Sequence, residues 1–186
     1  MISRFPVPAL ESVPDDLRER IIEVADKTGF IPNVFLALAH RPEEARAFFA
    51  YHDTLMDKTS PALSKADREM IVVVTSSANG CLYCVVAHGA VLRIRSKNPL
   101  LADQVATDWR KADLDDRQRA ICDLSVRFAR QPEAVTIADW DDLKNHGLDD
   151  DDIWDVAAIV GLFGLSNRMA HFTNMRPNEE FYTMGR

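Results

Sequence analysis

The chain has 186 residues, 47% of them hydrophobic and 27% charged, a balance typical of a folded, water-compatible protein and unlike that of a disordered one. A domain of this length hides roughly 70% of its unfolded surface, so a core forms without disulfide staples. The net charge of -7 and the pI near 5.2 argue against a nucleic-acid partner, because phosphate recognition needs a surplus of lysine and arginine on one surface.

Arg93, Arg95 and Lys97 form the one small basic cluster and read as solvated helix surface. No apolar run reaches the ~18 residues of a membrane span, and the opening Met-Ile-Ser-Arg-Phe-Pro-Val-Pro has no signal core. The expectation is a cytoplasmic protein of one domain, 1–186, with no membrane partner. Two of the three cysteines share a Cys-x-x-Cys pattern, which in a reducing compartment points to redox chemistry or metal binding rather than a secreted disulfide framework.

Residues 1–13, with Pro6 and Pro8, read as an extended arm. Helical periodicity starts after Pro14, with Asp15 and Asp16 at the positive end of the dipole, and Gly29 closes that helix. A short helical segment begins near Pro32 and Asn33. Pro42 opens another helix through about Met56, and the two form a helical hairpin.

Ser64-Lys-Ala-Asp67 is a weak capping box, with Asp where Glu or Gln is preferred. The run after it, Ile71-Val-Val-Val-Thr75, is β-branched and favours a strand by propensity. No second strand exists to pair with it, and a lone strand leaves its backbone groups unsatisfied, so 64–78 is expected to be a buried helix. Asn79-Gly80 breaks it, and Cys81 to about Ser96 is helical again.

Further helices are expected from Asn98-Pro99 through Trp109, from Asp115 to before Pro132, and from Thr136 to Gly147. The last and longest runs from about Asp149 to Phe172 and opens with four aspartates, read as dipole-favoured residues at a helix start rather than a metal site. Leu63-Ser-Lys-Ala-Asp67 and Leu148-Asp-Asp-Asp-Asp152 echo each other faintly. In that alignment Ser166 and Met169 stand where the first copy has Cys81 and Cys84.

The chemistry concentrates between Glu69 and His88. At 100° per residue, Cys81, Cys84 and His88 fall within an arc of about 60° on one helix, so two sulfurs and an imidazole share a surface. Free N–H groups and the positive dipole end at the helix start favour thiolate, most of all at Cys81. A thiolate attacks peroxides and disulfides, and a second cysteine three residues away can condense with the oxidised first. His88 could take the thiol proton and Glu69 could orient it, while Tyr83, on another face, could relay or hydrogen-bond.

Zinc bound by Cys81, Cys84, His88 and perhaps Glu69 is the alternative, as a structural or interaction module. A third reading is a redox sensor without turnover. Cys122 reads as a small core hydrophobe and His171 as a hydrogen-bonded packing residue beside Asn167 and Arg168. His40, His52 and His146 read as capping or solvated residues near helix ends. No bound cofactor is called for.

Glu69, Cys81-Leu-Tyr-Cys84 and His88, together with Gly29-Phe-Ile-Pro-Asn-Val-Phe35, Arg41-Pro42, Leu63 to Glu69 and Asn167-Arg168, resemble the alkyl hydroperoxidase D and carboxymuconolactone decarboxylase superfamily in its peroxidase-related branch. The resemblance implies an all-α helical bundle and a homo-oligomer (dimer, trimer or hexamer). It also implies a thiol peroxidase oxidised by a hydroperoxide and re-reduced by a dithiol or lipoyl-type protein. By resemblance Cys84 is the peroxidatic thiol, Cys81 the more exposed resolving thiol, and Glu69 and His88 the proton relay. In alkyl hydroperoxidase D a histidine stands where this chain has Tyr83, and the decarboxylase branch lacks the cysteine pair.

Overall fold

The β-branched run Ile71-Val-Val-Val-Thr75 is helical, and the molecule is arranged around it. A computed structural model describes residues 1–186: ten α-helices, three single 3₁₀ turns and no β-strand. The run lies inside α4 (Lys65–Ala78), where Ile71, Val72, Val73 and Val74 are at most 1% exposed. Burying each such side chain contributes roughly 1.5–3 kcal/mol, against the few tenths that a β-branched residue costs in a helix. Packing therefore overrides propensity. The cover comes from α5 (Leu82–Ser96), α6 (Leu101–Asp108), α7 (Asp116–Arg130) and α9 (Asp150–Thr173), all of which contact α4.

Local signals set the helix ends. Asp67 is long enough to complete its box: its carboxylate accepts from the Ser64 N–H at 3.0 Å, and Ser64 Oγ accepts from the Asp67 N–H at 3.1 Å. Asp115 with Gln118 and Asp149 with Asp152 repeat the device at the starts of α7 and α9. The aspartate run is thus accounted for in part by capping, and Asp152 also accepts from the Ser60 hydroxyl.

Ahead of this core, α1 (Asp15–Thr28) closes at Gly29 with φ +84. The next two helices, α2 (Asn33–Leu38) and α3 (Pro42–Met56), fold back on each other, and α3 packs on α4 and α9. Two short helices complete the set, α8 (Ile137–Asn145) and α10 (Glu180–Thr183), the second of them resting on α5. Residues 1–9 have no regular structure and run beside the end of α9, where the Arg4 N–H donates to the Thr173 carbonyl at 2.7 Å.

Two arginines depart from the surface role that charge suggests. Arg93 is 4% exposed and donates to the carbonyls of Phe181 and Met184 at 2.7 and 2.9 Å, tying the C-terminal segment to α5. Of the basic cluster, Arg95 and Lys97 alone are solvated. Arg68, 1% exposed, donates to Asp155 at 2.8 Å and to the Leu55 carbonyl at 2.9 Å, joining α4 to α9 and to the end of α3. A buried charge persists only when paired and hydrogen-bonded in this way.

Candidate active site

The turn between α4 and α5 delivers the cysteines. Gly80 takes φ +66, and the N–H groups of Gly80 and Cys81 donate to the carbonyls of Ser77 and Ser76 at 3.0 and 2.9 Å. This is a Schellman closure, in which glycine supplies the left-handed residue at no steric cost. The residue that finishes it, Cys81, is also the N-cap of α5. One residue thereby ends one helix motif and starts the next, leaving its thiol beside the first turn of α5.

Cys81 and Cys84 are unbonded and each 2% exposed, so Cys81 is no more open by area than Cys84. Their environments separate them. The neighbouring Cys84 thiol, hydrogen-bonding to Cys81, is the main influence that brings Cys81 down to about 6 against the opposing effect of burial. The first-turn N–H of Cys84, the charge of His171 and the Asn167 amide add to it. Cys84 is held well above the ordinary thiol range by that same interaction and by burial. The pair therefore carries one proton near neutrality, with the charge on Cys81.

A recess of ≈180 Å³ opens onto Cys81 and is bordered by Tyr83, His171, Asn174, Met175 and Arg176. Cys84 does not border the recess, and its sulfur lies 3.7 Å from Ser166 Oγ of α9. A larger cleft of ≈740 Å³ runs between the N-terminal arm, α3 and α9, and neither sulfur borders it.

Because α4 and α5 form a hairpin, Glu69 comes opposite His88, and His88 Nδ1 lies 2.8 Å from Glu69 Oε2. The carboxylate side chain is 9% exposed and the imidazole 18%. Nδ1 is engaged by the carboxylate, and the Nε2 of His88 makes no hydrogen bond. The Phe163 ring stands edge-on to the imidazole at 4.7 Å and fixes its plane. His88 stands one helical turn beyond Cys84 and makes no hydrogen bond to either sulfur.

Tyr83 points away from this group. Its hydroxyl accepts from the Val34 N–H at 3.0 Å, tying α5 to the start of α2, and burial raises its pKa. No three His, Cys, Asp or Glu side chains converge on a point that a metal could occupy, so the set expected for zinc does not assemble. Cys122 is fully buried in the main core, its thiol pushed up to about 12 by burial.

Several residues join the site beyond Glu69, Cys81, Cys84 and His88. Asn167 of α9 donates to Ser76 Oγ at 3.0 Å and accepts from Asn79 Nδ2 at 2.9 Å, which locks α9 to the turn before Cys81. His171 Nε2 lies 3.0 Å from the Asn79 carbonyl at the rim of the recess. His52 is not a helix-end residue: it sits within α3 with its ring centroid 6.2 Å from that of His88. Two sequence signals pointed toward these partners: Asn167-Arg168 in the family resemblance, and the echo in α9 that aligns Ser166 with a cysteine.

A strandless helical bundle that presents a reduced cysteine pair at a helix start, next to a carboxylate–imidazole pair, defines a class of small α-helical dithiol proteins. Residues 42–99 match the carboxymuconolactone decarboxylase family. The chain is similar over 100% of its length, and over 97% of the other chain, to the alkylhydroperoxidase AhpD core, a peroxidase-related protein from Ralstonia eutropha JMP134, with 60% identity and a TM-score of 0.97. A peroxidase-related protein from Silicibacter sp. TM1040 shares 39% identity with a TM-score of 0.93, over 100% of this chain and 96% of that one. The fold recurs in the debrominase Bmp8 at 19% identity and a TM-score of 0.80, over 100% of this chain and 96% of that chain. No curated protein matches the sequence. The chain belongs to the carboxymuconolactone decarboxylase family, in its AhpD-like, peroxidase-related branch.

Proposed function

We propose that the protein is a thiol-dependent alkyl hydroperoxide reductase working through Cys81, Cys84, His88 and Glu69. The observation that carries this reading is the unequal cysteine pair: a thiolate at Cys81 next to a protonated Cys84, with the Glu69–His88 pair one turn further along α5. The neutral thiol needs a base, and the free Nε2 of His88 supplies one.

In this reading His88 takes the Cys84 proton as the sulfur attacks the peroxide. The O–O bond breaks, the leaving alkoxide receives the proton and departs as an alcohol, and Cys84 becomes a sulfenic acid. The Cys81 thiolate then attacks the Cys84 sulfur, and hydroxide leaves and is protonated to water. The peroxide has gained two electrons and the cysteines have lost two to form a disulfide.

A dithiol partner restores the pair. Its thiolate attacks the Cys81 sulfur from the recess, Cys84 leaves and is protonated through His88, and the partner's second thiol releases Cys81. His171 and Arg176 at the recess suit an acidic partner, such as a lipoyl-type protein. Tyr83 in this scheme holds α5 against α2 rather than carrying protons. The working assembly is a homo-oligomer.

The test is to add one equivalent of cumene hydroperoxide per chain to the reduced protein. Two thiols should be lost, a Cys81–Cys84 disulfide should appear in peptide mass spectra, and Cys122 should stay reduced. In Cys81→Ser, a sulfenic acid should accumulate on Cys84. A sulfenic acid on Cys81 in Cys84→Ser, with Cys84 untouched in the first variant, would reverse the two roles. No oxidation in any form would sink the reading.

A further inference from the structure

A serine or threonine within a helix commonly bonds its hydroxyl to the carbonyl four residues back. Thr28, Thr54, Ser96, Ser125 and Thr173 all do so in this chain, at 2.7–2.9 Å. Ser166, well inside α9, does not. Its hydroxyl meets one partner, the sulfur of Cys84 on α5, at 3.7 Å. The next residue, Asn167, is 1% exposed and bonded to Ser76 and Asn79, which ties this part of α9 to the turn leading into α5. His171, one turn further along α9, lies 3.0 Å from the Asn79 carbonyl. Ser166 is therefore held against Cys84 by bonds on its own helix that do not involve it.

We propose that Ser166 is a catalytic residue for Cys84: its hydroxyl donates a hydrogen bond to the sulfur once the sulfur is a thiolate, and so stabilises the form that attacks. The inference rests on the peroxidase reading for the step it assists, but the contact with the sulfur stands on the geometry of the reduced protein.

While Cys84 is a thiol, either group can donate, and a thiol is both a weak donor and a weak acceptor. Once the proton has passed to His88, the sulfur can only accept and Ser166 must donate. A hydrogen bond to an ionised acceptor is about twice as strong as one between neutral groups. The stabilisation thus grows as the thiolate forms and is small in the resting thiol, which is the condition for an interaction to raise a rate. No bond to Ser166 forms or breaks, and no electron passes through it. The same contact serves the return step, because Cys84 leaves the disulfide as a thiolate and a stabilised thiolate leaves faster.

The surroundings of Cys84 otherwise disfavour charge. Its hydrogen bond with Cys81, followed by burial and the nearness of the Cys81 charge, holds it well above the ordinary thiol range. Tyr83 beside it is kept neutral by burial, and His88 stands one turn further along α5. From α9 come Ser166 and Asn167, the two side chains that act in the opposite direction and favour the thiolate.

The experiment isolates Cys84 in a Cys81→Ala background, which removes the main cause holding it up, and compares Ser166 with Ser166→Ala, a change that suits a helix. Exchange of Cys84 with 4,4′-dithiodipyridine is followed across pH by peptide mass spectrometry. Without the hydroxyl, the thiolate fraction below the midpoint should fall about tenfold, which moves the midpoint up by about one pH unit. A less stabilised thiolate is also the stronger nucleophile, with a Brønsted slope of about 0.4–0.5. The two effects combine to a loss of about threefold below both midpoints and a gain of about threefold above them, so the rate profiles should cross. If Ser166 is merely a small residue where α9 approaches α5, the midpoint stays where it was, with rates equal or scaled by one factor at every pH, and that result overturns the proposal. In the chain with both cysteines, Ser166→Ala should slow oxidation by cumene hydroperoxide about threefold at pH 7. If wild type ignores the peroxide, the peroxidase reading fails. The exchange profile still decides the role of the hydroxyl, upheld by a raised midpoint and refuted by an unchanged one.

Discussion

Cys81 shows how a single position gains reactivity from several weak sources. Its own identity supplies only a thiol; its place at the start of α5 adds N–H groups and a dipole end; and the Cys84 thiol supplies the largest push toward thiolate. Alkylation of Cys81 by iodoacetamide should therefore be half-maximal near pH 6. In Cys84→Ala, which deletes the main cause, the midpoint should climb toward the ordinary value of 9.0, measured by peptide mass spectrometry across pH. A midpoint unchanged by Cys84→Ala would show that the helix start alone controls the thiol. The dipole argument read the lower value at Cys81 from sequence. A hydrogen-bonded His171 and the Asn167-Arg168 pair were legible there too, but the groups they meet, Asn79 and Ser76, were not, because that depends on where α9 crosses the hairpin.

At the scale of elements, most boundaries were readable because the stop and start signals are local: the Gly29 closure, Pro42 at a first turn, the Ser64 and Asp149 caps, the Asn79-Gly80 break. The strand-like Ile71–Thr75 run was readable too, through the missing partner strand. Burial of Arg93 and Arg68 was not, since nothing in a charge pattern reveals that a distant carbonyl or carboxylate will meet a guanidinium. The outer face of α9 is apolar and uncovered. Trp154, Leu165 and Phe172 lie along one stripe of it at 75%, 56% and 65% exposure, and a Cβ built on Gly161 meets nothing within 4 Å. An interface between copies would bury apolar surface of this kind, and the proposed homo-oligomer is expected to do so. Sedimentation should show an assembly larger than the 20.9 kDa chain, and Trp154→Glu with Leu165→Glu should dissociate it without unfolding. A monomeric wild type would contradict this.

At the scale of the whole molecule, the fold divides its tasks. The core around α4 fixes the hairpin, the hairpin sets Glu69 against His88 and both cysteines on one side, and α9 closes the sulfurs with Ser166 and Asn167. No helix is long and apolar enough to cross a membrane. The bundle was legible from the sequence as a whole because every long segment was helical and none had a partner strand; which helix faces meet is a three-dimensional fact that periodicity does not carry. If the proposed function holds, this arrangement turns over rather than being oxidised once. The measurement that bears on it most directly is steady-state consumption of cumene hydroperoxide with dihydrolipoamide as reductant. Many equivalents should be consumed per chain, with a loss of at least about 100-fold in Cys81→Ser and in Cys84→Ser and no change in Cys122→Ser. Consumption that stops after one equivalent despite excess dithiol, or a cysteine double variant that matches wild type, would contradict it.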